Sequence, residues 1–430
     1  MGKFRGGMDF HPGQPVRLPP PPATLPAMPL ELFLKERPEV HAGQIVRQDQ
    51  PLTLPRQIGK AAYICPANGI IREMVPQADG SYRLRLEPAD DTVATALPVG
   101  PPRGRRLPEW FEAFKHVGPW TDHDGGVGLI AQLHAAQTAP PDTLICVGLD
   151  EYPPYADRSS LLTSFPDDTV LGTLILADLI GAKNVSILAP KTGAVIGRLR
   201  PSCRNYRLKL KPVQNIYPSA NPTMVTWAHA SGKRSLPQGA NPVSVGVMLI
   251  TPWTAIRIGR WFTLRKFDIV RPMIIAQPEA REPLAAAYAI PGQPLSSLHP
   301  RLVLDGGHRN LSLALGNPMT GKLLRRGDMA AGKPGAVVPA DELLISILET
   351  TTRPAADPCI SCGWCADVCP TSLRPAHMLE LAKSHRQSDY LIDQLSFCID
   401  CGLCSHVCPS ELPLAQTFRA CNDEHRKPLP

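Results

Sequence analysis

The chain has 430 residues, a formal net charge of +7, 49 prolines and 12 cysteines, and at ~150 residues per domain it has room for about three domains. Its Lys and Arg residues are scattered, with only short runs such as Arg103-Gly104-Arg105-Arg106 and no interleaved aromatics, which argues against nucleic acid as a partner. No stretch reaches the roughly 18 to 20 apolar residues of a spanning helix, and the longest candidate, Val170 to Ala182, is interrupted by Asp178; any membrane association is then expected through partner subunits.

In chain order, the first thirty residues, including Pro19 to Pro22, cannot form a helix and read as an extended arm. Val40 to Leu52 has the cadence of a lipoyl-like β-sandwich, with polar turns between single apolar residues. Gly69 to Val75 is strand-like and Asp79-Gly80 is a hairpin turn. Tyr82, Leu84 and Leu86 then alternate with polar residues as a half-buried strand should. From about 101 to 240 strands and helices interleave: Thr143 to Val147 suits a buried parallel strand, Val170 to Leu179 the following helix, and Asn184 to Leu188 the next strand. Tyr206, Leu208 and Leu210 alternate with Arg207, Lys209 and Lys211 as a strand with one wet face. Val243 to Val247 and Phe267 to Ile275 predict further strands of a small β-grasp-like unit. Leu302 to Leu304 with Asp305-Gly306-Gly307 predicts a strand and turn, and Pro339-Ala340-Asp341-Glu342 the start of a helix.

Near the end stand two copies of one motif, Cys359-x2-Cys362-x2-Cys365-x3-Cys369-Pro370 and Cys398-x2-Cys401-x2-Cys404-x3-Cys408-Pro409. Two such runs are a ligand set for two 4Fe-4S clusters. Three thiolates come from one tight loop, and in two-cluster ferredoxins the fourth comes from the other run. That assigns Cys359, Cys362, Cys365 and Cys408 to one cluster, and Cys398, Cys401, Cys404 and Cys369 to the other. Structural zinc would need four ligands where eight are offered. Disulfides would need an oxidising compartment, and no secretory signal precedes Met1-Gly2-Lys3-Phe4-Arg5. Gly363 and Gly402 leave room for the backbone to approach the core, and Pro370 and Pro409 turn the chain away. Met378, Leu379, Leu381, Leu391, Ile392 and Leu395 fall at near-helical spacing and are expected to cover the clusters. The remaining four cysteines, Cys65, Cys146, Cys203 and Cys421, read as idle thiols.

The run from Cys359 to Pro370 and the segment Cys404 to Leu414 resemble the RnfC (RsxC) family of the Rnf ion-translocating electron transport complex. Phe10-His11-Pro12-Gly13 and Gln50-Pro51-Leu52 match that family's N-terminal domain. The likeness is closest at 350–420, looser at 1–75 and faint between. It implies a multidomain α+β fold: an arm and lipoyl-like barrel-sandwich hybrid at 1–100, a Rossmann-like α/β domain at 101–240, an SLBB-type β-grasp at 241–300, a connector at 301–350, and an α-helical double ferredoxin domain at 351–430. Family members are peripheral proteins on the cytoplasmic face of the inner membrane that take hydride from NADH onto FMN and pass electrons through two clusters to membrane-embedded partners.

The family's flavin and nucleotide site uses G-x-G-G-x-x-F-P, E-C-E-P-Y and P-x-G-G-E elements, where glycines let backbone N–H groups reach phosphate. Here the first reads Trp120-Thr121-Asp122-His123-Asp124-Gly125-Gly126-Val127-Gly128, with acidic residues where an anion would sit. The second, Glu151-Tyr152-Pro153-Pro154-Tyr155, keeps one carboxylate, and the third, Tyr217-Pro218-Ser219-Ala220-Asn221-Pro222, lacks its glycine pair. Three departures at one site imply that FMN and NADH binding has degenerated, with Gly125, Gly126, Gly128 and Glu151 as the residual candidates. The expectation is an electron-transfer subunit with two 4Fe-4S clusters that does not oxidise NADH alone and exchanges electrons with a redox protein. A flavin-dependent NADH dehydrogenase subunit with a divergent site and a soluble adaptor for a cytoplasmic reductase are the rival readings.

Overall fold

The computed structural model describes residues 6–18, 28–54, 60–89, 101–102, 104, 106–118, 120, 126–230, 235–265, 267, 269–277, 285–299, 302, 311–324, 328, 333–339, 342–349, 356–384 and 389–425. Residues 6–18 carry no helix; Met8 forms a two-way backbone bridge with Tyr217. The predicted Pro19 to Pro22 segment lies outside the described residues.

Strands β1 (Leu30–Leu34), β2 (Ile45–Val46), β3 (Gly69–Pro76) and β4 (Tyr82–Pro88) form an antiparallel sheet in the order β1-β4-β3-β2. Leu30 and Leu32 face Leu86 and Leu84 across the ladder, and all four are buried. The expected hairpin between β3 and β4 is present: Gly80 takes φ +81°, and the Asp79 carboxylate accepts from the Ser81 N–H (3.0 Å) and hydroxyl (2.6 Å).

A second unit opens with helices α1 (Leu107–His116) and α2 (Leu129–Ala136) and the strand β5 (Thr143–Val147), whose five residues are all buried. Two helices, α3 (Asp157–Ser164) and α4 (Pro166–Ile180), lead to β6 (Asn184–Pro190). The α4 helix starts earlier than the predicted Val170, because Pro166 suits a first helical position and Asp167 and Asp168 complement the helix dipole. Next come α5 (Gly193–Asn205), β7 (Lys209–Val213), α6 (Pro222–His229), β8 (Val247–Ile250) and α7 (Pro252–Leu264). The four strands form an all-parallel sheet ordered β7-β6-β5-β8. Helices α4 and α7 pack closely where Gly172 and Gly259 meet. A Cβ on either would collide with a backbone carbonyl, Ala255 for the first and Asp168 for the second.

Two strand expectations need correction here. Tyr206 caps α5 and Arg207 takes φ +55°, so the strand begins only at Lys209. Residues 242–245 form a 3₁₀ turn, capped by the Asn241 side chain accepting from Val243 N–H and ended by Gly246 at φ +73°. The strand that follows, β8, pairs with β5 and belongs to the parallel sheet rather than to a β-grasp.

Strands β9 (Arg271–Ala276), β10 (Ala285–Ala289), β11 (Leu311–Leu315), β12 (Lys322–Leu324) and β13 (Leu344–Glu349) form a third sheet, ordered β10-β9-β13-β11-β12. The predicted strand at Phe267 starts at Arg271; Phe267 is instead a buried loop residue under the Arg257 guanidinium, 4.1 Å from its ring centroid. Residues 301–350 are therefore not a mere connector, and no helix starts at Glu342. Leu344, Ile345 and Ile347 are buried, and β-branched residues in this pattern favour the strand that runs parallel to β9. Leu302 is described as 3₁₀, whereas 303–310, 340 and 341 lie outside the described residues.

The C-terminal module consists of α8 (Trp364–Asp367), α9 (Pro375–Lys383), α10 (Asp389–Ser396), α11 (Leu403–His406) and α12 (Leu414–His425). Its internal repeat is visible in the backbone. Ser361, Gly363 and Ser372 take positive φ in the first run, and Asp400, Gly402 and Glu411 do so at the equivalent positions of the second. These left-handed turns wrap the chain around each set of cysteines.

Candidate iron–sulfur centres

Cys398, Cys401 and Cys404 lie on the loop into α11 and on its first turn, and Cys369 lies just after α8. All four line one cavity of about 410 Å3, open mouth included, together with Leu373, Met378, Ile399, Leu403 and Phe418. Burial pushes the Cys398 thiol up to about 11 and Cys401 to about 12, and raises Cys404 further. The neighbouring thiols, Cys369 among them, add to each. Asp400 and Leu403 backbone N–H groups donate to Cys398 and Cys401 and offset part of this. Four thiols so placed cannot ionise together without a cationic core between them, which is the chemistry iron supplies. The donor set fits a 4Fe-4S cluster, and N–H donors to sulfur are a lever on its potential.

The other set is more open. Cys359 and Cys362 are exposed, Cys365 is buried and Cys408 half-buried. The Ser361 N–H points at Cys359 Sγ (3.4 Å). The Ser410 hydroxyl donates to the Pro358 carbonyl (3.0 Å) and Asp357 N–H to the Ser410 carbonyl (3.1 Å), tying the segment after Cys408 to the start of the first run. Among the described residues no three His, Cys, Asp or Glu side chains gather as a single-ion site would require. A lone metal draws thiolate sulfurs to about 2.3 Å from one centre, whereas a four-iron core holds them apart around its edges.

Met378, Leu379, Leu391 and Leu395 are buried in the module's core with Cys365 and Phe418, as expected of a cover, while Ile392 is exposed. Of the lone cysteines, Cys65, Cys146 and Cys203 are buried and Cys421 half-buried. Burial pushes the Cys65 thiol up to about 12 and Cys203 to about 11, which makes both poor nucleophiles.

The module is clamped to the rest of the chain at the second set. The Tyr217 hydroxyl, on a ring 3% exposed, donates to the Cys401 carbonyl at 2.6 Å. Gly7 N–H donates to the Val368 carbonyl (2.9 Å), and Gly6 lies so close to the Cys369 carbonyl that no Cβ would fit. Phe10 stacks among Tyr152, Tyr217 and His406, with ring centroids 5.1, 6.1 and 5.9 Å away. Sequence reasoning placed Tyr217 only in a nucleotide element. Its partner is 184 residues away, and no local pattern marks such a pairing.

The nucleotide candidates are brought near one another in part. Gly126 and Gly128 take positive φ and lead into α2, with Gly126 beside Pro222; Gly125 and the predicted acidic residues Asp122 and Asp124 lie outside the described residues. Glu151 accepts from the Asn317 side chain (3.2 Å). Next to it, Asp150 is buried, accepts from Ser159 and Asn215, and is pushed up to about 6 by burial. Burial, reinforced by Asp150, raises Asp157 well above its ordinary range. Carboxylates thus accumulate here with their donors already engaged.

No helix among the described residues is long and apolar enough to cross a membrane. The family model for a 4Fe-4S dicluster domain matches residues 358–412. The chain is 29% identical over 410 residues to the RnfC protein of the ion-translocating oxidoreductase complex of Pseudomonas aeruginosa, covering 91% of this chain and 50% of that protein. It is 25% identical over 279 residues to the cobalamin reductase PduS of Citrobacter freundii, covering 61% of this chain and 59% of that one. An NAD+-reducing NiFe hydrogenase in the H2-reduced state superposes with a TM-score of 0.47 at 14% identity, over 70% of this chain and 60% of that one. The chain spans about half the length of the RnfC relatives it matches. Over most of its own length it is a relative of the RnfC proteins of ion-translocating oxidoreductase complexes, with a 4Fe-4S dicluster domain at residues 358–412.

Proposed function

We propose that this chain is the iron–sulfur electron-transfer subunit of an Rnf-like, membrane-associated oxidoreductase complex, held on the cytoplasmic face by partner subunits. The observation that carries the reading is the shared cavity of Cys369 with Cys398, Cys401 and Cys404, in which a cysteine of the first run joins three of the second. Cys359, Cys362, Cys365 and Cys408 then hold the other cluster, supported by the Ser410 tie. When bound, such clusters accept and release single electrons. The protein's part is to supply the thiolates, the N–H donors to sulfur and the apolar cover of Met378, Leu379, Leu391 and Leu395. We read β1 to β4 as the barrel-sandwich unit, β5 to β8 with their helices as the α/β unit, and β9 to β13 as the β-grasp-like unit, the last two acting as scaffold and docking surface.

Electrons enter from a redox protein rather than from NADH, because the acidic surroundings of Glu151 oppose the phosphates of FMN and NADH. Anaerobic purification with iron, sulfide and flavin analysis tests this directly. Iron and sulfide matching two four-iron clusters, without flavin, is the expected result. Stoichiometric FMN with rapid bleaching by NADH would establish the dehydrogenase reading instead.

A further inference from the structure

The largest cavity among the described residues, about 1300 Å3 with its open mouth, lies between α6 and the C-terminal module, away from Glu151 and the Gly126 turn. One wall is Thr223, Met224 and Trp227 of α6 with Ser235, Leu236, Pro237 and Gln238. The other is Pro370, Thr371 and Ser372, directly after Cys369, and Ser396 and Phe397, directly before Cys398. Both outer segments therefore flank cysteines of the enclosed second set. Phe397 is 54% exposed at this edge, a large ring held out of any core.

The lining selects a ligand class. Trp227 and Phe397 offer ring faces, Met224 and Leu236 an apolar floor, and the remainder hydroxyls and one amide. Among the described lining residues none is charged, so a phosphate or carboxylate would gain no partner there. Hydroxyl and amide donors around an apolar slot suit carbonyl oxygens on a flat ring. We propose that this cavity binds an uncharged planar dicarbonyl of the quinone class, stacked between Trp227 and Phe397. The inference rests on the electron-transfer reading for its redox sense, since a ring bound here sits one or two residues from two cluster cysteines.

The test is equilibrium dialysis of 2-methyl-1,4-naphthoquinone against the full chain purified anaerobically with its clusters. Saturable binding of one molecule per chain is expected, weakened about tenfold in Trp227→Leu and in Phe397→Ala and unchanged in Tyr390→Ala, an exposed ring outside the cavity. Cluster absorption and melting, recorded on each variant, show that the module is intact. Non-saturable uptake, equal affinity in all three variants, or displacement of the quinone by equimolar FMN would each overturn the assignment. Absence of clusters with quinone binding intact would sink the electron-transfer reading and leave the site standing.

Discussion

Replacing Tyr217 with Phe removes one oxygen atom from the seam between the α/β unit and the cluster module. The ring is 3% exposed and packs on Phe10 and Tyr152, so its apolar contacts survive the change. The loss is the 2.6 Å bond to the Cys401 carbonyl. A buried acceptor left without its donor costs about 1–3 kcal/mol, which is roughly a 5- to 150-fold rise in local opening of the loop that carries Cys401. That loop also presents the Asp400 and Leu403 N–H groups to Cys398 and Cys401. The enclosed cluster should therefore be lost faster in air than the exposed one, reversing the order expected from burial alone. Time-resolved EPR of the two reduced clusters after an oxygen pulse reads the order directly. If Tyr217→Phe leaves the lifetime of the Cys398-Cys401-Cys404 cluster unchanged, the hydroxyl is dispensable and packing alone anchors the module.

Cys369→Ala should damage the cluster of Cys398, Cys401 and Cys404 before the one nearest in sequence. EPR showing loss of the Cys359 cluster first would refute the exchange of fourth ligands. Leu395→Asp places a carboxylate in the apolar cover, and burying it unpaired is expected to make both clusters sensitive to air; unchanged bleaching in air would remove the shielding role. A reduced ferredoxin or flavodoxin should reduce the clusters where NADH does not. Reduction by NADH alone would show that a divergent nucleotide site remains active.

The cysteine module was legible because its chemistry is local: eight residues at fixed spacing define the ligand loops, and the positive φ angles at Ser361, Gly363, Asp400 and Gly402 follow from wrapping a backbone around a core. The strands β3, β4, β5 and β6 were legible for the same reason, since alternation or unbroken apolar character is written in consecutive residues. The errors came where a local pattern was outvoted. Val243 and Val245 look like strand, but Asn241 capping and Gly246 wind them into a turn. The helix expected after Pro339 gave way to a strand because a vacant place beside β9 rewards Ile345 and Ile347 only in extended form. The seam at Tyr217 was not legible at all, as its residues come from positions near 7, 217, 368 and 401.

The two cysteine sets differ in a way that gives the module a polarity. The second set is enclosed, pressed against the core by Tyr217, Gly7 and Phe10. The first set has Cys359 and Cys362 exposed, beside Ile360 at 67% and Trp364 at 55% exposure. Burial lowers the local dielectric and disfavours added negative charge, so on that ground alone an electron is held less readily at the enclosed set than at the exposed one. The seam donors act in the opposite sense, since N–H groups pointing at sulfur stabilise the reduced state. With Asp400 and Leu403 donating, the enclosed set regains part of what burial costs it, which brings the two sites closer in energy and eases passage of an electron either way. Removing the Tyr217 hydroxyl should tilt that balance toward the exposed set, the edge at which a protein partner can reach the chain.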